Sequence, residues 1–161
     1  MKRHESLHAL SQHHHFVLLE SLFIRRASQE SASTRDSSLR KVAEKFVEFW
    51  ETKGKIHFRD EEEILIPAYA LHVSIENDQD VMRMLADHAM IRARIGKLAS
   101  LLSNNEAFET DLTELGELLQ NHVRLEENVI FPRMEKTLTE EELQRVGHLL
   151  TWLHPKGSCE L

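Results

Sequence analysis

HFRDEEEILIP at residues 57–67 and HVRLEENVIFP at residues 122–132 are the same sentence written twice. Each is a His, a Glu four residues on, a second Glu, an apolar triplet and a Pro. On a helix, a spacing of four puts the imidazole and the carboxylate of His57/Glu61, and of His122/Glu126, one turn apart on one face. Two such faces turned towards each other make a box of metal donors.

The flanking residues predict how those faces are carried. Segment 7–27 has Leu7, Leu10, Val17, Leu18 and Ile24 at helical spacing, and 28–38 reads as a polar loop. A second helix is predicted from about Leu39 to Ala70, with Val42, Phe46, Phe49, Trp50, Ile56 and Ile64 inward, a mild cost at Gly54 and a kink or end at Pro67. After a turn over 71–78, Val81, Met84, Leu85, His88, Ile91, Ile95 and Leu98 mark a third helix over about 78–102. A fourth runs over about 108–134, with Leu112, Leu115, Leu119, Val129 and Ile130 inward. Thr139 and Glu142 form a capping box that opens a short fifth helix, which Pro155 and Gly157 stop. Trp50 and Met90 read as core or pocket lining. The fold predicted is all-α: an antiparallel up-down four-helix bundle over about 7–135, with a C-terminal helix over about 139–154.

Composition agrees. With 161 residues, 5 Gly and 3 Pro, the chain has enough length for one domain and little material for hairpins. A net charge of −7 argues against nucleic acid and against an anionic membrane surface. No apolar run approaches a bilayer span, and the N-terminus has no signal-peptide core, so a cytoplasmic protein is expected. The one cysteine, Cys159, has no partner for an internal disulfide and reads as an inert exposed thiol.

The chain carries eleven His, and several interrupt apolar stripes at mid-helix. His88 falls on the Leu85/Ile91/Ile95 face. Of His13, His14 and His15, only one can point inward; His14, four after Leu10 and three before Val17, lies on the stripe, with His15 the alternative. Buried carboxylates and imidazoles without partners are costly, and metal ions remove both penalties. His14, His57, Glu61, His88, His122 and Glu126 are too many donors for one tetrahedral zinc. Two divalent ions with an oxo or hydroxo bridge suit them, iron or manganese first and other divalent metals possible. Imidazole-rich ligation favours Fe(II) and the binding of a diatomic ligand over oxidation of a substrate. Glu62 and Glu127 are expected to orient neighbouring imidazoles, with Arg92 paired to one of them. His4, His8, His72, His148 and His154 read as solvated or capping residues.

The two repeats resemble the motif of hemerythrin-like, His-His-Glu cation-binding domains, and SQHHHFVL and LADHAMIRARI are similar to that family's lone-His segments. The resemblance covers roughly residues 7–135 and implies a single domain over 1–161. It implies a centre of two Fe ions bridged by Glu61 and Glu126, with His14, His57, His88 and His122 as terminal ligands. Members carry, sense or store oxygen, respond to nitric oxide or iron, or assist iron–sulfur cluster repair. Oxygen carriers have a second His one turn along helix 3, where this chain has Arg92, so one ion is expected to be less fully bound. Repair members commonly add an N-terminal cysteine-bearing domain, whereas here the bundle begins at once.

The function expected is therefore that of a non-haem di-iron protein that binds or senses O2 or NO, or responds to iron or redox state. Two alternatives stand beside it: an oxidoreductase or peroxidase that uses Arg92 to stabilise a peroxide anion, and a cation-storing bundle. The expected partners are O2, NO or peroxide, with the chain a monomer or homodimer.

Overall fold

The computed structural model describes residues 3–29 and 31–153. His154, Pro155, Gly157 and Cys159, and the expectations attached to them, lie outside the described residues.

Helix α1 spans His8–Ser28, led in by a 3-10 turn over Glu5–Leu7. Helix α2 is one continuous rod of α-helical segments Ala32–Phe49, Lys55–Asp60 and Ile66–Ala70, joined by π-helical turns Trp50–Gly54 and Glu61–Leu65. Helix α3 is Gln79–Ser103. Helix α4 runs through Glu109–Leu125, a π turn Glu126–Ile130, and Phe131–Thr137. Helix α5 is Glu140–Leu153. The first four close into a ring in which α1 packs on α2 and α4, and α3 on α2 and α4. This is the predicted all-α bundle.

The N-caps explain the helix starts. Asp78 accepts from the backbone N–H groups of Asp80 and Val81 at 3.2 and 3.3 Å. At the predicted capping box, Glu142 accepts from the Thr139 N–H at 2.8 Å while Thr139 Oγ1 accepts from the Glu142 N–H at 3.3 Å. Helix α2 starts at Ala32, earlier than the Leu39 expected from apolar spacing. Ser31 is extended, and its carbonyl accepts from Thr34 and Arg35 at 3.0 and 2.9 Å. Once that turn exists, the following Ser and Thr residues need only propagate it, and their weak propensity does not stop the helix.

Pro67 and Pro132 neither end nor break their helices. Each falls in the first turn of the α-helical segment after a π turn. A proline lacks an N–H and its ring crowds the carbonyl four residues back; the wider π turn supplies the room.

The core is in two parts. Towards one end Leu7, Leu10, Leu65, Tyr69, Met84, Phe131 and Met134 pack together. Towards the other, Val17, Phe46, Trp50, Phe58, Ile91, Leu98, Leu115 and Leu119 do the same. Between them lies a waist of buried polar side chains, considered below. Phe58, only 3% exposed, is a core residue that apolar spacing did not pick out, while Met90 is 47% exposed and not core. Gly54 is more than a mild cost: a Cβ there would lie 3.1 Å from Trp50 Cζ3, so its absence makes room for the indole.

Helix α5 closes the first end, burying Leu143, Val146 and Leu150 in that core and leaving Trp152 exposed. It crosses the N-terminal turn so closely that a Cβ on Gly147 would stand 3.0 Å from the Ser6 Cα. Gly147→Ala should therefore lift α5 from the bundle and cost about 1–3 kcal/mol, measured by urea denaturation; an unchanged midpoint would contradict this contact.

Candidate metal centre

Each helix of the bundle sends side chains into the waist. His14 comes from α1, His57 and Glu61 from α2, His88 from α3, His122 and Glu126 from α4. None is more than 3% exposed, and both glutamates are at 0%. The donor atoms of His14, His57, Glu61 and Glu126 all lie within 4.8 Å of one another, and so do those of His88, His122 and Glu126. Glu126 belongs to both groups. Of the His13–His15 run it is His14 that turns inward; His15 is exposed and His13 half-buried.

The glutamates stand across the waist. Glu61 Oε1 is 3.4 Å from His57 Nε2 and 3.8 Å from His14 Nε2, while its Oε2 is 3.4 Å from His88 Nε2. Glu126 Oε2 is 3.0 Å from His14 Nε2, while its Oε1 is 2.9 and 3.5 Å from His122 Nε2 and His88 Nε2. Each carboxylate thus gives one oxygen to each pair of imidazoles. All four oxygens are buried without a well-directed hydrogen bond to any described residue, and so are His88 Nε2 and His122 Nε2. These donors converge on shared space rather than on each other. Orphaned anionic oxygens in a dry interior are expensive, and a cation between them satisfies all of them at once.

The far sides of the rings are also held. Glu127 Oε1 accepts from His14 Nδ1 at 2.7 Å, and Glu62 Oε1 from His88 Nδ1 at 2.7 Å. A carboxylate acceptor keeps Nδ1 protonated and turns Nε2 to the waist, where His14 Nε2 lies 2.9 Å from His57 Nε2. The two bonds run crosswise, from α4 to α1 and from α2 to α3. Each carboxylate is in turn held by an arginine: Arg3 to Glu127 at 2.7 Å, and Arg92 to Glu62 at 2.8 Å. Each arginine also lies over an aromatic ring that stacks on the same imidazole. Arg92 is 5.4 Å from the Phe58 centroid, and Phe58 is 3.7 Å from His88; Arg3 is 5.2 Å from Phe131, and Phe131 is 5.4 Å from His14. The expected roles of Glu62, Glu127 and Arg92 match these contacts.

Arg3, Phe58, Phe131 and Asp87 went unnoticed in the sequence. Asp87 is 6% exposed, and its Oδ2 lies 3.8 Å from His122 Nδ1, an electrostatic contact longer than a hydrogen bond. Its one sequence signal is a charged residue on an otherwise apolar face beside His88. His4 and His72 behave as surface capping groups: His4 Nδ1 accepts from the Ser6 N–H at 3.2 Å, and His72 pairs with Glu142 at 2.8 Å.

The chain matches the hemerythrin HHE cation-binding domain over residues 6–134. It belongs to that family. An uncharacterized hemerythrin-like protein of Schizosaccharomyces pombe is 30% identical over 86 residues, which are 53% of this chain and 42% of the relative. The chain therefore covers less than half of that relative's length. No solved structure matches it. Among the described residues, no helix of this hemerythrin-like domain is long and apolar enough to cross a membrane.

Without metal, protons hold the waist together. Burial alone would lower the His14 pKa, but the close Glu126 and Glu127 carboxylates outweigh it and raise it to about 10. Against the same burial, Glu126 and Glu61 raise His88 to about 9, and Glu126 and Asp87 raise His122 to about 9. His57 goes the other way, lowered by burial and by His14. Burial raises Glu61, with Glu126 adding to the effect, whereas the His122, His14 and His88 charges overcome burial and hold Glu126 well below the usual range.

A raised imidazole pKa gives stability that is complete below the unfolded value of 6.5 and is lost as pH rises through the folded value. Chelator-treated protein should therefore melt at progressively lower temperature between pH 6.5 and about 10. Metal-loaded protein should show a shallower slope, because cations replace those protons. Parallel slopes in the two melting series would count against a metal in this waist.

Proposed function

We propose that this chain is a non-haem di-iron protein of hemerythrin type that binds or senses a diatomic ligand, O2 or NO. The observation that carries the reading is the pair of carboxylates spanning the waist, with all four oxygens buried and without a hydrogen bond to any described residue. Two cations account for that geometry; one leaves half of it unexplained. His14 and His57 would hold one ion and His88 and His122 the other, with Glu61 and Glu126 shared. Four donors converge in the His14/His57 half and three in the His88/His122 half, so the less fully bound ion expected from Arg92 would be the one beside His88. Three or four protein donors would leave positions open on a metal that prefers six. Bound iron would supply reversible ligand binding and one-electron redox change. The chain's residues do the rest: Glu127 and Glu62 hold the His14 and His88 imidazoles aimed inward, and the Phe58 and Phe131 rings cover the outer faces of His88 and His14. A waist this buried admits a small, uncharged ligand more readily than an organic substrate.

The peroxidase reading loses its specific support. Arg92 is bound to Glu62, lies over Phe58 and is 41% exposed. Its charge is engaged outside the ring of donors.

Protein from iron-replete cells should contain two irons per chain by elemental analysis, with near-ultraviolet absorption that bleaches on anaerobic reduction and changes on admission of O2 or NO. His57→Ala and His122→Ala should each lower the iron content. Each should also lower thermal stability by about 3 kcal/mol where free metal is about 100 times its Kd. Unchanged iron and stability in both variants would refute the reading.

A further inference from the structure

Residues 3–7 lead into α1 and are docked on α4 and α5. The Leu7 side chain is fully buried in one core with Leu143, Val146 and Leu150 of α5. The His4 N–H donates to Glu135 Oε1 at 2.8 Å, and His4 Nε2 lies 3.3 Å from Glu140 Oε2 at the start of α5. This anchoring carries Arg3 to the outer side of α4, with its side chain only 14% exposed.

There the guanidinium engages three residues of α4 spaced four apart. Its Nη2 donates to Glu127 Oε2 and to the Glu127 carbonyl, both at 2.7 Å, and its Nη1 is 3.2 Å from Glu135 Oε1. The group also lies 5.2 Å from the centroid of Phe131. Two of those three residues touch one donor of the waist. Glu127 Oε1 accepts from His14 Nδ1 at 2.7 Å, and the Phe131 ring stacks on the His14 ring with centroids 5.4 Å apart.

The two oxygens of Glu127 are held from different places. Oε1 accepts from Ser11 Oγ at 2.6 Å as well as from His14, and both donors belong to α1. Oε2 is held by Arg3. With Oε1 alone fixed, the carboxylate would be free to pivot about it. Arg3 removes that freedom, because one nitrogen pins the side chain to its own carbonyl in the π turn Glu126–Ile130. Charge works the other way: a guanidinium this close opposes a bound dication where burial weakens screening. What Arg3 contributes to metal binding is therefore placement. A lysine keeps the charge but lacks the planar fork that serves several acceptors and an aromatic face together, so Arg3→Lys separates the two effects.

We infer that Arg3 is a positioning residue of the metal centre: from the segment before α1 it fixes Glu127 and Phe131, and through them the aim of His14. It is not a metal donor. Docking of residues 3–7 on α4 and α5 and occupancy of the waist are then linked through this one side chain. The inference rests on the reading of the waist as a metal site given above.

The test is anaerobic titration of chelator-treated protein with Co(II), followed by calorimetry and by the visible absorption of the bound ion, in native protein, Arg3→Lys, Glu127→Gln and the double variant. Arg3→Lys should weaken Co(II) uptake by about 10-fold, the low end for contacts behind a ligand, because Arg3 acts through Glu127. Its absorption at saturation should differ from the native spectrum, since a ligand is aimed differently. Glu127→Gln should weaken uptake by more, and adding Arg3→Lys to it should cost little further, because members of one network are not additive. Native affinity in Arg3→Lys, or losses that simply add in the double variant, would overturn the role of Arg3 and leave the metal site standing. Weaker uptake with a native spectrum at saturation would also overturn it, and would mark Arg3 as a fold contact alone. No Co(II) uptake by native protein would remove both.

Discussion

Two carboxylates buried at the waist of a helical bundle are the constraint on which the rest depends. Glu61 and Glu126 are fully buried, come from different helices, and share the His14 and His88 imidazoles. Two anions in so dry a place repel each other and have lost their hydration, at a cost of several kcal/mol each. The surrounding structure responds to that cost. Four imidazoles face them, aromatic rings cover two of those imidazoles, and a separate apolar core on each side keeps the layer rigid. The stability of the bundle and the occupancy of its waist are for this reason one problem, because cation binding and folding contribute to the same free energy.

The π turns connect that constraint to the chain. They begin at Glu61 and at Glu126, and Pro67 and Pro132 sit just beyond them. A π turn in an ordinary helix carries weaker hydrogen-bond geometry and tends to be found where function needs it. Here it lets adjacent glutamates serve different helices: Glu61 faces the waist while Glu62 reaches His88, and Glu126 faces the waist while Glu127 reaches His14. Each outer carboxylate then ties one hairpin of the bundle to the other. The contacts that aim the imidazoles are also contacts that hold the helices in register.

The symmetry of the arrangement has limits that matter chemically. Arg3 and Arg92 perform equivalent tasks from unrelated places, one preceding α1 and the other in the middle of α3. Phe131 and Phe58 likewise cover equivalent imidazoles from non-equivalent positions. These matches come from packing in three dimensions and not from duplicated sequence. Packing did not restore the match everywhere: Asp87 Oδ2 lies 3.8 Å from His122 Nδ1, whereas the ring beside His57 is that of His13.

The sequence by itself determined the elements and the inner donors. Apolar spacing and capping residues are local signals, and they located four bundle helices and the capping box at Thr139. The doubled His-x-x-x-Glu placed both motifs on single helical faces, since residues four apart share a face whatever surrounds them. Local signals also misled where propensity was overridden: the Ser-rich start of α2 is helical because propagation is cheap once a turn exists, and Pro67 is tolerated because a π turn precedes it. Only the tertiary structure decided that His14 rather than His15 turns inward, that Phe58 is core, that Arg92 faces away from the donors, and that Asp87 and His13 stand behind imidazoles of other helices. Those facts depend on the distance and rotation between helices, and no periodicity within one helix encodes the angle at which it meets its neighbour.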